Sequence, residues 1–133
     1  MPIIYAEERE LCAEEFISVL RASGLAERRP VEDVKRIESM LRNANVIVTA
    51  RSAGALVGVC RGVSDFSFCF YLSDLAVDRK YQGRGIGRRL IEESHQLAGL
   101  HCTLTLTAAP DAATYYPHIG VLNQTSCWII PSL

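Results

Sequence analysis

The sequence predicts a mixed α+β domain, on three observations. Apolar residues recur at helical spacing in two early segments and again after residue 85. Three β-branched runs between residues 46 and 77 are parted by short polar turns. A strand-helix-strand crossover then follows that antiparallel meander, which excludes both a pure doubly wound sheet and a barrel.

Taken in order, residues 2–5 predict a short first strand. From residue 6 to 22, Leu11, Phe16, Val19 and Leu20 form an approximate helical stripe, which Ser23 and Gly24 end. Pro30 stands in the first turn of a second helix, whose buried face is Val34, Ile37, Met40 and Leu41. Asn43, Ala44 and Asn45 break it. Residues 46–50 and 55–63 read as a hairpin about Ser52, Ala53 and Gly54, and residues 67–77 as a further strand. Over 86–98 the period changes to that of a helix. Ile86, Leu90, Ile91, Leu97 and Ala98 share one face, Arg88, Arg89, Glu92 and Glu93 face water, and Gly99 is the stop. Residues 102–107 alternate as a strand. Pro110 opens a short helix that Pro117 closes, and the tail through Trp128, Ile129 and Ile130 predicts one or two final strands.

The length of 133 residues allows one domain, taken as 1–133, and no repeat or linker divides it. A composition of 49% hydrophobic and 22% charged residues is globular, and the net charge of -1 supplies no chain-wide field for nucleic acid or an acidic membrane. Glu7, Glu8 and Glu10 follow the first residues at once, and no apolar run approaches the roughly 20 residues that cross a bilayer. The expected location is cytoplasmic. The five cysteines are odd in number, lack metal-ligand spacing and sit in apolar stretches, so buried reduced thiols and no metal are expected.

The chemistry concentrates in residues 82–87. Gly83, Gly85 and Gly87 alternate between the end of a predicted strand at Leu75, Ala76 and Val77 and the start of the helix at Ile86. Glycines let the backbone approach a ligand and turn to positive φ, and a helix N-terminus adds about half a positive charge. Arg79, Lys80, Arg84, Arg88 and Arg89 surround the segment. Such a turn suits a phosphate or pyrophosphate, with a plain solvated turn as the alternative reading. A dinucleotide fingerprint begun at Gly83 needs glycine where Arg88 stands, and a P-loop needs a Gly-Lys pair that is absent.

Gln82, Gly85 and Gly87 fill the pattern [QR]-x-x-G-x-[GA]. Further on, Tyr115, Tyr116, Gly120 and Val121 fill a Φ-Tyr-x-x-x-Gly-Φ element. In that order, with one helix and one strand between them, these elements resemble the GNAT N-acetyltransferase superfamily over about residues 45–130. The resemblance implies a GNAT-like mixed sheet with helices on both faces, and acetyl-CoA as cosubstrate. It implies that the main-chain N–H groups of Gly83, Arg84, Gly85, Ile86, Gly87 and Arg88 hold the pyrophosphate. Ala76 and Val77 would border the pantetheine arm, which Val77 pairs like an added strand. The Leu75 N–H would face the thioester carbonyl, and Tyr116 would protonate the leaving thiolate. The implied reaction is direct attack, in a ternary complex, by a primary amine of a small molecule or peptide. A non-catalytic acyl-CoA sensor domain is the alternative. A homodimer is compatible with the resemblance and not specified by it.

The general base is open. By alternation Tyr71 and Ser73 share a face with Leu75, while Asp74 takes the other, which a β-bulge would alter. Asp74 is therefore a candidate, and a water relay toward Asp65, Asp74 or His118 is another. For the acceptor, the resemblance implies a wall made by the first two helices and the loop between them. That loop, residues 23–30, mixes Glu27 with Arg28 and Arg29 and names no substrate. Phe66, Phe68 and Trp128 are candidate aromatic lining or core.

Overall fold

The computed structural model describes residues 1–133, the side chain of Asp111 excepted. Five strands form one sheet in sequence order: β1 (Ile3–Glu7), β2 (Val46–Ser52), β3 (Ala55–Ser64), β4 (Cys69–Val77) and β5 (Thr103–Thr105). Neighbours are antiparallel except β4 and β5, which run parallel, as the crossover through a helix requires. The helices are α1 (Ala13–Ser23), α2 (Val34–Asn43), α3 (Ile86–Ala98) and α4 (Tyr115–His118).

Both faces of the sheet are covered. On one, Phe16 and Leu20 of α1 and Ile37 and Leu41 of α2 pack on Ile47, Val59 and Ala76. On the other, Ile86, Leu90 and Ala98 of α3 pack on Val46, Val48, Cys60, Phe70 and Leu72. Each such large side chain contributes about 1.5–3 kcal/mol by leaving water. β2 is therefore apolar at successive positions rather than alternate ones, since both its sides are buried. Among the described residues, no helix is long and apolar enough to cross a membrane.

Several boundaries differ from the expectation, each for a local reason. Ala6 and Glu7 extend β1 rather than begin a helix, because they pair with Thr49 and Val48 of β2. The second helix starts at Val34, not at Pro30, because the Asp33 side chain accepts the Arg36 N–H at 3.1 Å and caps it there. Val34 is then half exposed in its first turn. Pro117 lies inside α4, in a first turn whose N–H groups have no intrahelical acceptor, so it does not close the helix. The tail forms no strand, and Leu122, Trp128, Ile129 and Ile130 stand exposed, so Trp128 lines nothing. Only Cys60 and Cys102 of the cysteines are buried, against the expectation for all five. Burial pushes the Cys60 thiol up to about 11.

One irregularity positions the site. Arg61 pairs with Asp74 and Gly62 with Leu72, so Ser73 is an extra residue on β4. This bulge reverses the alternation expected across it. Leu72 joins Leu75 and Val77 on the α3 face, while Asp74 and Ala76 face α1 and α2. Tyr71, between Phe70 and Leu72, shares Asp74's face instead of Leu75's.

Candidate active site

β4 is paired on both sides only at its start. β5 bonds to Cys69, Phe70 and Tyr71 and then ends, leaving residues 74–77 with β3 on one side and no strand on the other. The Asp78 N–H donates to the Val57 carbonyl at 2.8 Å, so by alternation residues 76 and 78 turn toward β3 and residues 75 and 77 turn outward. The outward Val77 carbonyl accepts from the Gln82 side-chain amide at 3.0 Å. Gln82 thus folds the chain back over the open edge. The wedge between β4 and β5 is a ready place for an extended ligand to bond like a strand.

The turn that follows is held by Asp78, whose carboxylate accepts the Lys80 N–H at 2.9 Å. Gly83 and Gly85 adopt φ of 79° and 81°, where side chains are strained, and nothing lies within 4 Å of where their Cβ atoms would stand. Gly85 caps α3, and the first i→i−4 bond is from Arg89 to the Gly85 carbonyl at 3.1 Å. The N–H groups of Ile86, Gly87 and Arg88 precede that bond and have no intrahelical partner. Open space, positive φ and helix-end donors together fit a pyrophosphate.

The cation count around this cradle is lower than the sequence suggests. Arg88 pairs with Glu92 at 3.2 Å, and Arg89 pairs with Glu93 at 2.7 Å and stacks on Tyr5. Arg84 lies over Tyr81, with its carbon 5.0 Å from the ring centre. Arg79 turns away to cover Gly24, where a Cβ would meet its guanidinium at 2.3 Å.

Tyr115 and Tyr116 reach the same region from α4, their rings edge to face at 5.2 Å. A Cβ on Gly87 would stand 2.6 Å from the Tyr115 hydroxyl, so Gly87 admits that phenol to the start of α3. Burial pushes the pKa of Tyr115 up, which the charge and backbone N–H of Arg88 oppose. Tyr116 is also pushed up, by burial first and then by Tyr115. His118 is exposed on the outer side of α4. The Asp65 carboxylate accepts from the N–H groups of Ser67, Phe68 and Cys69 at 2.8–3.1 Å, which hold its pKa at about 2 and make it the anchor of the β3–β4 turn.

Asp74 is fully buried and held by two guanidiniums. Arg29 Nε donates to one carboxylate oxygen and Arg61 Nε to the other. Arg29 Nη2 also donates to the Ser73 carbonyl at 2.7 Å, and Arg61 Nη2 to the Ser73 hydroxyl at 3.1 Å. Arg61 escaped the sequence reading, and Arg29 entered it only as part of the loop 23–30, without its tie to Asp74. A signal was there: Arg61 interrupts an apolar strand as Asp74 interrupts the next, and two lone opposite charges on adjoining strands imply a pair. Arg29, from a distant loop, had no such signal.

An open β4 edge leading through a glycine turn into a helix N-terminus is an α+β arrangement suited to an extended ligand that ends in phosphates. A family model described as Acetyltransferase (GNAT) domain matches residues 17–125, and the chain belongs to that family. It is 29% identical over 100 residues to an uncharacterized N-acetyltransferase, ycf52, of Gracilaria tenuistipitata var. liui, covering 73% of this chain and 55% of that protein. The chain thus spans about half the length of that curated relative. A probable acetyltransferase of unknown function from Staphylococcus aureus superposes with a TM-score of 0.81 at 20% identity, over 99% of this chain and 100% of that one. An aminoglycoside N-acetyltransferase in complex with CoA superposes with a TM-score of 0.76 at 12% identity, over 98% of this chain and 95% of that one.

Proposed function

We propose that this chain is an acetyl-CoA-dependent N-acetyltransferase that passes the acetyl group directly to a primary amine. The observation that carries the reading is the unpaired β4 edge at residues 74–77, continuous with the cradle of residues 83–88. An acyl-CoA would supply a thioester, whose carbonyl is open to attack by an amine. The outward N–H of Leu75 would donate to the developing oxyanion, and Val77 with Ala76 would border the pantetheine. The N–H groups of residues 83–88, Gly85 and Gly87 included, would bind the pyrophosphate.

Tyr116 would give its proton to the departing thiolate. Tyr116 is protonated at neutral pH. Because burial raises its pKa further above the thiol value of about 8.5, its part is a hydrogen-bonded donation to the thiolate rather than a strongly driven transfer. Asp74 is assigned a positioning role instead of that of base, because both its oxygens are occupied by guanidiniums. The amine proton would then leave through water on the Tyr71 side of β4.

Saturating acetyl-CoA should raise the melting temperature and slow hydrogen exchange at residues 82–88. Unchanged exchange there would end the proposal. Tyr116→Phe should lower kcat by about a hundredfold and leave acetyl-CoA affinity alone. Binding of acetyl-CoA with no turnover on any amine, and no effect of Tyr116→Phe, would favour a sensor domain.

A further inference from the structure

The Asp74 cluster holds two guanidiniums for one carboxylate. A second cluster in the molecule has the opposite ratio: Arg51 bridges Glu8 at 2.8 Å and Glu15 at 2.7 Å. The two imbalances differ in their access to water. Glu8 and Glu15 are 28% and 42% exposed, so solvent carries their surplus negative charge. Asp74, Arg61 and Arg29 are 0%, 9% and 22% exposed, so the surplus positive charge is held in low dielectric and only Arg29 reaches the surface.

Every nitrogen of both guanidiniums has a protein acceptor, but beyond Asp74 those acceptors are neutral: the carbonyls of Arg28, Ser73 and Met40 and the Ser73 hydroxyl. They orient the arginines without cancelling their charge. The loop carrying Arg29 adds cations of its own. Arg28 and Arg79, the latter lying over Gly24, have no carboxylate within ion-pair distance among the described residues. Of the acidic groups on the same wall, Glu32 pairs with Arg21, while Asp33, which caps α2 through a neutral N–H, and Glu27 of the 3-10 turn Leu25–Arg28 are exposed and carry their charge in water.

This surplus lies one residue from Leu75, on the face of β4 opposite the glycine cradle. We infer that the acceptor amine carries an anionic group, a carboxylate or phosphate, and that Arg29, oriented by Asp74 and Ser73, receives it. The inference rests on the acetyltransfer reading and narrows it: amino acids and phosphorylated amines are favoured over amines lacking an anion. A guanidinium whose plane is already fixed loses little freedom in binding the anion.

The test compares matched acceptors with and without the anion, tyrosine against tyramine and phosphoethanolamine against ethanolamine, by thiol release with saturating acetyl-CoA. The wild type should prefer the anionic member of at least one pair in kcat/KM. Arg29→Gln leaves Asp74 paired one to one with Arg61, so the fold is retained, and should lower the preference ratio by about tenfold to a hundredfold. The change should lie in KM, since the contact is made in ground and transition states alike. The absence of preference, or an unchanged ratio in Arg29→Gln, overturns the inference. Should acetyl-CoA bind while no amine is acetylated, the transferase reading fails separately. The anion site is then judged by calorimetric binding of N-acetyltyrosine and phosphoethanolamine to the CoA complex. Binding weakened tenfold or more by Arg29→Gln supports it, and absent or unaltered binding overturns it.

Discussion

The two sides of β4 present their hydrogen-bond donors by opposite means. Toward α3 the donors are main-chain N–H groups from one contiguous segment, aimed by the positive φ of Gly83 and Gly85. Toward α1 and α2 they are side-chain guanidiniums, converging on Asp74 from positions 45 and 13 residues away. The first arrangement needs no buried charge, and its weak point is backbone conformation. The second depends on charge balance, and removing the shared carboxylate of Asp74 strands both arginines.

That contrast predicts where the molecule breaks first. Asp74→Ala leaves two guanidiniums, one almost wholly buried, without their shared anion, and should cost about 3–5 kcal/mol in urea unfolding. If Asp74 served as base instead, Asp74→Asn would abolish turnover with stability little changed. Gly85→Val comes next. A β-branched residue at φ of 81° should cost about 1–3 kcal/mol and weaken acetyl-CoA binding at least tenfold, measured by calorimetry. Wild-type affinity in the Gly85→Val protein would show that the cradle does not depend on this conformation.

The same contrast explains what the sequence made legible. The cradle is local, so Gly83, Gly85 and Gly87 beside a helix start could be read within a few residues, and α3 was placed with its observed limits. The α+β class and the meander followed from helical periodicity, β-branched runs and the turn residues between them. The arginine wall is non-local. Arg29 meets Asp74 only after α1, α2 and the sheet have assembled, and the bulge at Ser73 decides which residues share that face. Alternation cannot reveal a bulge, and so Tyr71 was expected beside Leu75. The tail misled for a related reason. Its β-branched and aromatic residues have strand propensity, but β5 is a three-residue edge and no strand pairs with residues 119–133.

A smaller effect tests whether Gly87 belongs to the cradle by conformation or by contact. Gly87 is not among the positive-φ glycines, so its role is the room it leaves for the Tyr115 hydroxyl. Gly87→Ala should cost about 1–3 kcal/mol through that overlap. Removing the hydroxyl leaves the ring carbon at 3.4 Å, an ordinary contact, so adding Tyr115→Phe should recover most of the loss. Two additive penalties in thermal unfolding would show that the overlap is not the cause.

The smallest effect concerns the charges beside the cradle. Glu92 and Glu93 neutralise Arg88 and Arg89 at exposed i,i+4 positions, where ion pairs contribute little to stability. Glu92→Gln with Glu93→Gln should therefore leave the unfolding free energy within about 0.5 kcal/mol of wild type. Near a helix N-terminus, however, the freed arginines should tighten acetyl-CoA binding by about two- to fivefold at low salt. That gain should vanish near 1 M salt, where the screening length falls to about 3 Å. The paired behaviour separates the two sides of β4: charge near the cradle tunes affinity without touching the fold, whereas charge at Asp74 holds the fold itself. Affinity unmoved at low salt would mean that the main-chain donors alone set the strength of the cradle.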